Sequence, residues 1–370
     1  MKNRWGRLLV VFSLLLMIVA VGVQAQGSPL LAFVNSSGQL VVSSADGGFR
    51  WIVTNPGETL VNGYHWSGNR LFFAVRDGGE ISLRVGDANS QRVTEIGRGA
   101  GSTVSFGGFT QNSLIAAIDD RINIYPLNGS GGFETGVSGE LVETSTDGDA
   151  IFLRGSDGNY ALLSPDGANR TPLGFGNDPN SPFLSLWSDT GSLVAYADFG
   201  NGSGLAVTDA NTGETVTLNS DGSIPLIPLA WAGTNLIYRG TGGVIRIADM
   251  SCLNCGSNPL ENGVDLLPGS ATDIQIDDAQ AYFIIEDNSG NENVATVDLA
   301  CVARNDCLSS MELIETLESG TTVLALSPDG SYVITSHSTD NSLNVVSLRD
   351  GGSVQLSENS DLSDARWSTP

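Results

Sequence analysis

The sequence predicts an all-β protein, an eight-bladed β-propeller built from four-stranded antiparallel blades. A repeat of about 43 residues runs along the chain, which is within the range of propeller repeats. Within each repeat, two short apolar runs flank a turn, as a β-hairpin requires. The last repeat stops half-built at the C-terminus, and the strands that it lacks stand at the N-terminus. A closed ring of blades accounts for all three observations.

One position recurs once in each repeat, about five or six residues before an apolar strand in the first seven copies, and we call it the anchor position. We expect each anchor to lie on the innermost strand of its blade. Eight anchors therefore predict eight blades. The anchor position is occupied by Trp66, Phe109, Ser145, Trp187, Trp231, Ile276, Leu326 and Trp367.

The first 25 residues are predicted to be a signal peptide. Three basic residues precede an apolar core at 8–23, and the motif at 23–25 fits the small-x-Ala pattern of a cleavage site. An uncleaved membrane anchor is the alternative, although this core is shorter than the roughly 20 residues that span a bilayer. Residues 26–370 are then a single propeller domain, and we expect the protein to be secreted or periplasmic.

The second and third strands of seven blades are predicted from pairs of apolar runs. More polar runs, such as 92–95, 215–218 and 353–356, alternate as expected for outer strands with one face in water. The predicted pairs are 71–75 with 81–85, 114–118 with 121–125, 150–153 with 160–163, 193–196 with 205–208, 236–238 with 244–247, 282–285 with 294–297, and 332–335 with 343–346.

The eighth blade is predicted to be shared by the two ends of the chain. Residues 364–367 would form its innermost strand, next to strands at 30–34, 40–43 and 50–54. This pairing would remove the long exposed edges that an open ring leaves. A linear solenoid or a two-sheet array is the alternative, but neither requires its terminal half-units to be complementary.

The charge of the chain limits its partners. Without the signal peptide it has 14 Arg, 41 Asp plus Glu and no Lys, a net charge of −27. Such a field repels phosphate backbones and anionic headgroups, so we expect no nucleic-acid partner and no membrane insertion after signal removal. Cations or basic protein surfaces fit better. The absence of Lys also excludes Schiff-base chemistry in the mature chain.

Two segments resemble known families. Leu-Ser-Pro-Asp-Gly-Ser-Tyr-Val-Ile at 326–334 is similar to the Trp-Ser-Pro-Asp-Gly signature of TolB-like, WD-repeat-like bacterial propellers, and 187–193 is a looser copy. This resemblance implies a protein- or ligand-binding platform, although some relatives are appended to hydrolases. TolB-type proteins usually have six blades and an N-terminal α/β domain, whereas this sequence has eight anchors and no such domain. The turn at 208–214 resembles one in eight-bladed quinoproteins, but an ordinary Asp-x-x-Thr-Gly turn is the simpler interpretation.

Four cysteines lie in two enlarged loops of neighbouring blades. In an exported protein they are expected to form disulfides. We favour local pairs, Cys252 with Cys255 and Cys301 with Cys307. Cross-pairing between the loops, a four-thiolate zinc site and a redox-active pair at 252–255 are the alternatives.

Acidic residues are frequent in the predicted turns between second and third strands. These turns emerge on one face of a propeller, where their oxygens could hold calcium or engage a basic partner. The alternative is that Asp and Gly are ordinary turn residues, since no segment has the spacing of a known calcium loop. The candidate binding residues are Asp77, Glu80, Asp119, Asp120, Asp157, Asp198, Glu286, Asp287 and Asp340.

No motif for a known reaction is present. The sequence lacks a nucleophile elbow, a His-Glu-x-x-His motif, a phosphate loop and a dinucleotide fingerprint. Its two histidines, His65 and His337, fall in different blades, and we expect both to be packing or turn residues. The sequence therefore predicts a non-catalytic, monomeric platform for a protein, peptide or glycan, with no catalytic residue and no cofactor unless calcium binds. The alternative is a hydrolase or lyase with carboxylates in the central channel, or less well supported, a quinoprotein-like enzyme.

Overall fold

The computed structural model describes residues 28–368, apart from 111, 146–147, 156–157, 166–168, 174–182, 199–203, 220–224, 270, 278, 288–289, 318–320, 338–341 and 358–360. The predicted signal peptide at 1–25 lies outside the described residues. Within them, eight four-stranded antiparallel sheets form a ring, so the predicted eight-bladed propeller is confirmed. Where the chain is described, it contains no helix long and apolar enough to cross a bilayer.

The first four blades follow one another along the chain, each running from the innermost strand outwards. Blade 1 contains β4 (Thr59–Ser67), β5 (Arg70–Asp77), β6 (Glu80–Asp87) and β7 (Arg92–Ala100). Blade 2 contains β8 (Val104–Phe109), β9 (Ser113–Ile118), β10 (Arg121–Pro126) and β11 (Phe133–Ser138). Blade 3 contains β12 (Glu140–Thr144), β13 (Ile151–Arg154), β14 (Tyr160–Leu163) and β15 (Arg170–Pro172). Blade 4 contains β16 (Phe183–Trp187), β17 (Leu193–Asp198), β18 (Gly204–Asp209) and β19 (Thr215–Leu218).

The remaining blades complete the ring. Blade 5 contains β20 (Ile227–Ala232), β21 (Asn235–Arg239), β22 (Ile245–Asp249) and β23 (Val264–Leu267). Blade 6 contains β24 (Ala271–Asp277), β25 (Gln280–Glu286), β26 (Glu292–Asp298) and β27 (Met311–Thr316). Blade 7 contains β28 (Thr321–Leu326), β29 (Tyr332–His337), β30 (Leu343–Ser347) and β31 (Ser353–Ser357). Blade 8 contains β32 (Asp361–Trp367), β1 (Leu30–Val34), β2 (Leu40–Ser44) and β3 (Arg50–Ile52). Short 3₁₀ helices lie at Thr241–Gly243, Pro259–Asn262, Leu299–Arg304 and Cys307–Ser309.

Blade 8 joins the two ends of the chain, as the sequence predicts. Strand β32 pairs antiparallel with β1, so that Trp367 stands opposite Leu31 and Arg366 opposite Ala32. The Ser368 N–H then donates to the Leu30 carbonyl oxygen over 2.8 Å. The ring is therefore closed by backbone hydrogen bonds between residues that are far apart in sequence.

The core lies between the blades. The second strands are continuous apolar runs because neighbouring blades cover both of their faces. All five residues of Leu71–Val75, for example, are buried. Between blades 8 and 1, Val42 of β2 packs in one cluster with Tyr64 and Trp66 of β4. Burying a large apolar side chain contributes about 1.5–3 kcal/mol, so these shared faces hold adjacent blades together.

The structure corrects one anchor. The Ser145 hydroxyl oxygen accepts a hydrogen bond from the Ala150 N–H over 2.9 Å. The serines that directly follow the anchors Trp187 and Leu326 make the same contact with the residue five positions ahead. Ser145 therefore occupies the position after the anchor, and the prediction that it is the anchor of blade 3 was wrong. That anchor is Thr144, which ends β12 and pairs with Ile151.

Candidate functional site

The propeller has two faces with different sequences. Because strands alternate in direction, the turns between second and third strands share one face with the connections between blades. We call this the acidic face. The turns between first and second strands, and those between third and fourth strands, lie on the opposite face, which we call the anchor face because the anchors stand next to it.

Two of the predicted binding residues belong to an ion-pair cluster on blade 1. Arg98 Nη1 lies 2.7 Å from an Asp77 oxygen and 3.6 Å from a Glu80 oxygen. Arg98 Nη2 lies 2.8 Å from a Glu95 oxygen. The hydrogen bonds that Glu95 accepts from Arg98 and Ser82 lower the pKa of Glu95, and those that Arg98 donates to Glu95 and Asp77 raise the pKa of Arg98. An arginine thus neutralises part of the acidic face at Asp77 and Glu80.

Asp119 stabilises a turn on blade 2. Its backbone has a φ of 50°, and one carboxylate oxygen accepts hydrogen bonds from the Ser102 N–H over 2.9 Å and the Thr103 N–H over 3.1 Å. Hydrogen bonds from Ser102, followed by those from Thr103, lower the pKa of Asp119 to about 2. Asp119 therefore fixes the connection into β8. The neighbouring Asp120 is exposed.

The other acidic candidates are spread over several blades. Glu286 ends β25 and is exposed, while the next residue, Asp287, accepts hydrogen bonds from the N–H and side-chain amide of Asn291. Asp198 ends β17. Asp157 and Asp340 lie outside the described residues. Across the described part of the chain, no three His, Cys, Asp or Glu side chains are grouped so that they could hold a metal ion.

Ionisable side chains that the sequence did not single out as a group lie on the innermost strands. The residue before each anchor, which we call the pre-anchor residue, faces the following blade. The His65 ring of blade 1 lies 5.3 Å from the Phe109 ring of blade 2. A Cβ atom at Gly108 would meet the Thr144 hydroxyl of blade 3 at 1.6 Å, so only glycine fits there. The pre-anchor residues are His65, Gly108, Glu143, Leu186, Ala230, Gln275, Ala325 and Arg366.

Tryptophan anchors obey a common hydrogen-bonding rule. The indole N–H of an anchor donates to the carbonyl oxygen of the pre-anchor residue in the preceding blade. The donor–acceptor distances are 3.2 Å for Trp66 to Arg366, 3.1 Å for Trp231 to Leu186, and 3.3 Å for Trp367 to Ala325. Each bond links two blades at the central end of their interface.

Trp187 breaks this rule. It is only 7% exposed and packs in a cluster with Phe152 and Tyr160 of blade 3. Its indole nitrogen is nevertheless buried without a hydrogen-bond partner in the described structure. By the rule of the other anchors, its acceptor would be the carbonyl oxygen of Glu143. Buried donors are nearly always paired, so this exception calls for an explanation.

Glu143 lies at the same boundary between blades 3 and 4. The Ser185 hydroxyl of β16 donates to its Oε2 over 3.4 Å. Burial raises the pKa of the Glu143 carboxyl to about 8, against the smaller opposite effect of the Ser185 hydrogen bond. The side chain is therefore mostly neutral at pH 7 and can both donate and accept hydrogen bonds. Glu143 and Ser185 thus form a polar contact between blades 3 and 4.

Two further ionisable side chains lie at other boundaries. Asp273 of blade 6 accepts hydrogen bonds from the N–H groups of Leu326 and Ile274, each over 2.8 Å, while burial raises its pKa. Burial, reinforced by the charge of Arg366, lowers the pKa of His65 to about 4. These side chains and Glu143 belong to three different blade boundaries. None of the contacts described for these three side chains joins two of them.

The cysteines form the local disulfides that the sequence favours. Cys252–Cys255 and Cys301–Cys307 have Cα–Cα distances of 5.6 Å and 4.7 Å. Both loops connect third to fourth strands and so lie on the anchor face. Between them and β23 is an open cavity of about 740 Å³, at whose wall Arg246 is paired with Asp265 over 2.8 Å. With all four thiols oxidised, a thiolate zinc site is excluded.

Both motif resemblances fall on turns with a structural role. In the segment at 326–334, the Ser327 hydroxyl donates to Asp329 over 2.6 Å and accepts from the Tyr332 N–H over 2.9 Å. At 208–214, an Asp209 carboxylate oxygen accepts from the N–H groups of Asn211 and Thr212. These hydrogen bonds close the turns from within. They explain the residue types without a ligand.

No protein-family model and no curated protein matches this sequence. Solved structures are similar in fold. Dipeptidyl peptidase 4 of Porphyromonas gingivalis matches 91% of this chain with a TM-score of 0.60 at 11% identity, and the chain spans 60% of the length of that peptidase. The dihydro-heme d1 dehydrogenase NirN in complex with DHE matches 92% of this chain and 74% of its own, with a TM-score of 0.57 at 13% identity. The computationally designed protein Ika8 matches 86% of this chain and 97% of its own, with a TM-score of 0.53 at 14% identity. Enzymes and a designed protein thus share this fold, which leaves catalysis undecided.

Proposed function

We propose that the protein is an exported, monomeric and non-catalytic propeller that serves as a platform for a protein, peptide or glycan. A basic protein segment is the ligand that its charge fits best. The predicted signal peptide supports export, and the two disulfides are typical of proteins in oxidising compartments. The resemblance at 326–334 to TolB-like propellers is consistent with a binding role.

The observation that carries the proposal is the acidic face of a strongly acidic protein. Its turns present exposed carboxylates, among them Asp120 and Glu286, on a ring of rigid sheets. The mature chain has a net charge of −27, so its field favours the approach of a cationic partner and disfavours an anionic one. Complementary charge raises association rates and selects partners even where it adds little to affinity.

The arrangement of the inner strands supports the absence of catalysis. Acid–base catalysis needs groups within hydrogen-bond reach of one reacting atom. Here His65, Glu143 and Asp273 lie at separate blade boundaries, packed between sheets. No catalytic residue, metal or cofactor is therefore assigned in the proposal.

A variant pair on opposite faces tests the basic-partner proposal. The double substitution Asp120→Asn with Glu286→Gln removes two charges from the acidic face. The matched control, Glu214→Gln with Glu261→Gln, removes two exposed charges from third-to-fourth connections on the anchor face. Titration calorimetry with an arginine-rich peptide should show weaker binding for the first variant only, and this difference should shrink as salt is raised. Equal weakening by both variants would mean that net charge, and not the acidic face, attracts the peptide.

An enzyme with its site in the central channel is the second candidate function. One observation favours it, since a carboxyl with a raised pKa, such as Glu143, is a common feature of general acids. A calcium-dependent version predicts that chelator lowers the melting temperature. If chelator leaves the melting temperature unchanged and the protein turns over no peptide or oligosaccharide substrate, the binding-platform function is favoured over the enzyme.

A further inference from the structure

The two disulfides differ in their exposure to solvent. Cys252 and Cys255 are both exposed. By contrast, Cys301 is 0% exposed and Cys307 is 1% exposed, and both are packed in the core cluster between blades 5 and 6. An external thiolate must reach a sulfur atom before it can attack a disulfide, so the rate of exchange depends on access. The first disulfide is therefore open to attack from solvent, and the second is shielded.

The loop that carries the exposed disulfide is also held by contacts outside it. Leu253, between the two cysteines, is 7% exposed and packs in one core cluster with Trp231. Further along the loop, the Asn258 side-chain amide donates to the Thr217 carbonyl oxygen of blade 4 over 2.7 Å. We therefore expect the loop to keep its position when the sulfur–sulfur bond is broken, and the ring to stay folded.

The anchored loop determines which kind of thiol can reduce it. A first thiolate attacks one sulfur and forms a mixed disulfide, while the other cysteine leaves as a thiolate. The Cα atoms of Cys252 and Cys255 lie 5.6 Å apart, and the buried Leu253 keeps the two cysteines close together. The freed thiolate therefore attacks the mixed disulfide again and expels a monothiol. A dithiol has a second thiolate next to the mixed disulfide, which completes the reduction.

The surrounding charge favours a thiolate that a protein carries over a small anionic thiol. The mature chain has a net charge of −27, Asp249 is exposed three residues before Cys252, and Glu261 is exposed in the 3₁₀ helix that follows the loop. This field repels a small anionic thiol. A protein can place its thiolate among basic groups or at a helix N-terminus, which lower the thiol pKa and offset the repulsion.

We propose that Cys252–Cys255 is a thiol–disulfide exchange site that is reduced by the dithiol of a partner protein. The partner's first thiolate bonds to one sulfur as the sulfur–sulfur bond of this chain breaks, and the released cysteine takes up a proton. The partner's second thiolate then displaces the other cysteine, which is protonated in turn. Two electrons pass from the partner, which becomes a disulfide, to this chain, and the protons that the partner's thiols lose balance those that the cysteines gain. The site lies on the anchor face and does not depend on the function proposed for the acidic face.

Differential alkylation of the folded protein tests the site. The small probes are dithiothreitol and, at the same thiol concentration, the monothiol 2-mercaptoethanol; the protein probes are reduced thioredoxin and its single-cysteine variant. After trapping with iodoacetamide, mass spectrometry should show Cys252–Cys255 labelled about tenfold faster than Cys301–Cys307 with either dithiol, and little labelling with either monothiol. Equal labelling of both pairs, or no labelling of the exposed pair, would overturn the proposal. Labelling after dithiothreitol but not after thioredoxin would overturn the assignment of a protein partner.

Two leucine variants test the part assigned to the anchored loop. Leu253→Ala frees the centre of the loop, so the rate ratio between dithiol and monothiol, at least about tenfold in the wild type, should fall severalfold. Leu193→Ala is the matched control, because that leucine belongs to the same core cluster but lies outside the loop, and it should keep the wild-type ratio. An unaltered ratio in Leu253→Ala would refute the role of Leu253. The acidic-face variant of Asp120 and Glu286 should be reduced like the wild type.

Discussion

The boundaries of blade 8 and the boundary between blades 3 and 4 have the same anchor residue, a tryptophan, but differ in its hydrogen bonding. At blade 8, the indoles of Trp367 and Trp66 each donate to the inner strand of the preceding blade, and the ring is sealed. Between blades 3 and 4, Trp187 fills the same position, yet its N–H is unpaired within the described structure, and burial raises the pKa of the Glu143 carboxyl at this boundary. Each of the four anchor tryptophans is therefore packed between blades, but the hydrogen bond of its indole is not fixed by the fold.

This difference teaches where to look for function in a repeat protein. Turn motifs and apolar faces repeat because every blade needs them. The residues that vary on the innermost strands are less constrained by the repeat, and ionisable ones appear there at separate boundaries. A departure that leaves a buried polar group unpaired costs stability, so it marks a place where something other than folding explains the residue.

The largest expected effect is at the closing blade. Trp367→Ala removes a buried aromatic ring and its hydrogen bond to Ala325, and such truncations cost about 3–5 kcal/mol. A large fall in melting temperature is expected by calorimetry. Leu308→Ala is the matched control, because that side chain is 51% exposed and its loss should change stability by about 0.5 kcal/mol or less. Equal melting temperatures for the two variants would show that Trp367 on the closing strand contributes little to stability.

The boundary between blades 3 and 4 should respond to pH. The pKa of Glu143 is raised from 4.5 to about 8, so the folded state holds a proton that the unfolded chain releases between these values. Stability should therefore fall as pH rises through this window, by about 1.4 kcal/mol per pH unit relative to Glu143→Gln, which has no proton to lose. Denaturant unfolding of both proteins across the window measures the difference. Parallel pH profiles would show that the carboxyl is solvated.

His65, at the boundary between blades 1 and 2, should make stability change with pH in the opposite direction to Glu143. Its pKa is lowered from 6.5 to about 4, so the unfolded chain binds a proton that the folded protein excludes. Stability should rise with pH between these values and level off above them, over a narrower window than for Glu143. His65→Gln should remove this rise. A variant that keeps it would assign the effect to other groups.

Much of this structure could be predicted from the sequence, because every blade packs in the same way and the same pattern of apolar residues therefore recurs in each repeat. The strand pairs, the shared blade and the local disulfides follow from apolar runs and cysteine spacing. The anchor of blade 3 was misplaced because Thr144 and Ser145 are both small hydroxyl residues, and only the hydrogen bond to Ala150 shows which one closes the turn.

The polar contact between blades 3 and 4 could not be predicted, because Glu143 and Ser185 meet across two sheets. Their contact depends on how neighbouring blades are placed, and a spacing of one repeat does not show which side chain is buried. A usable signal was nevertheless present. Aligning the pre-anchor residues isolates His65 and Arg366 from the sequence alone, and it adds Glu143 once the anchor of blade 3 is moved from Ser145 to Thr144.

The smallest expected effect is the difference in stability between Phe substitutions at two anchor tryptophans. Trp231→Phe loses a ring portion and a hydrogen bond to Leu186, whereas Trp187→Phe loses a similar volume and no protein hydrogen bond. The first substitution should therefore cost about 1 kcal/mol more than the second, the usual net contribution of one hydrogen bond. Urea unfolding of both variants against the wild type measures this gap. A larger cost at Trp187 would place an unrecognised bond there.

The most direct test of the account is an experimental density map of the boundary between blades 3 and 4. We expect the Trp187 nitrogen to be buried with no protein acceptor within about 3.2 Å, the usual upper limit of an N–H···O hydrogen bond. If the carbonyl oxygen of Glu143 instead accepts its hydrogen bond, as that of Leu186 does for Trp231, the boundary obeys the common rule and the contrast with blade 8 disappears.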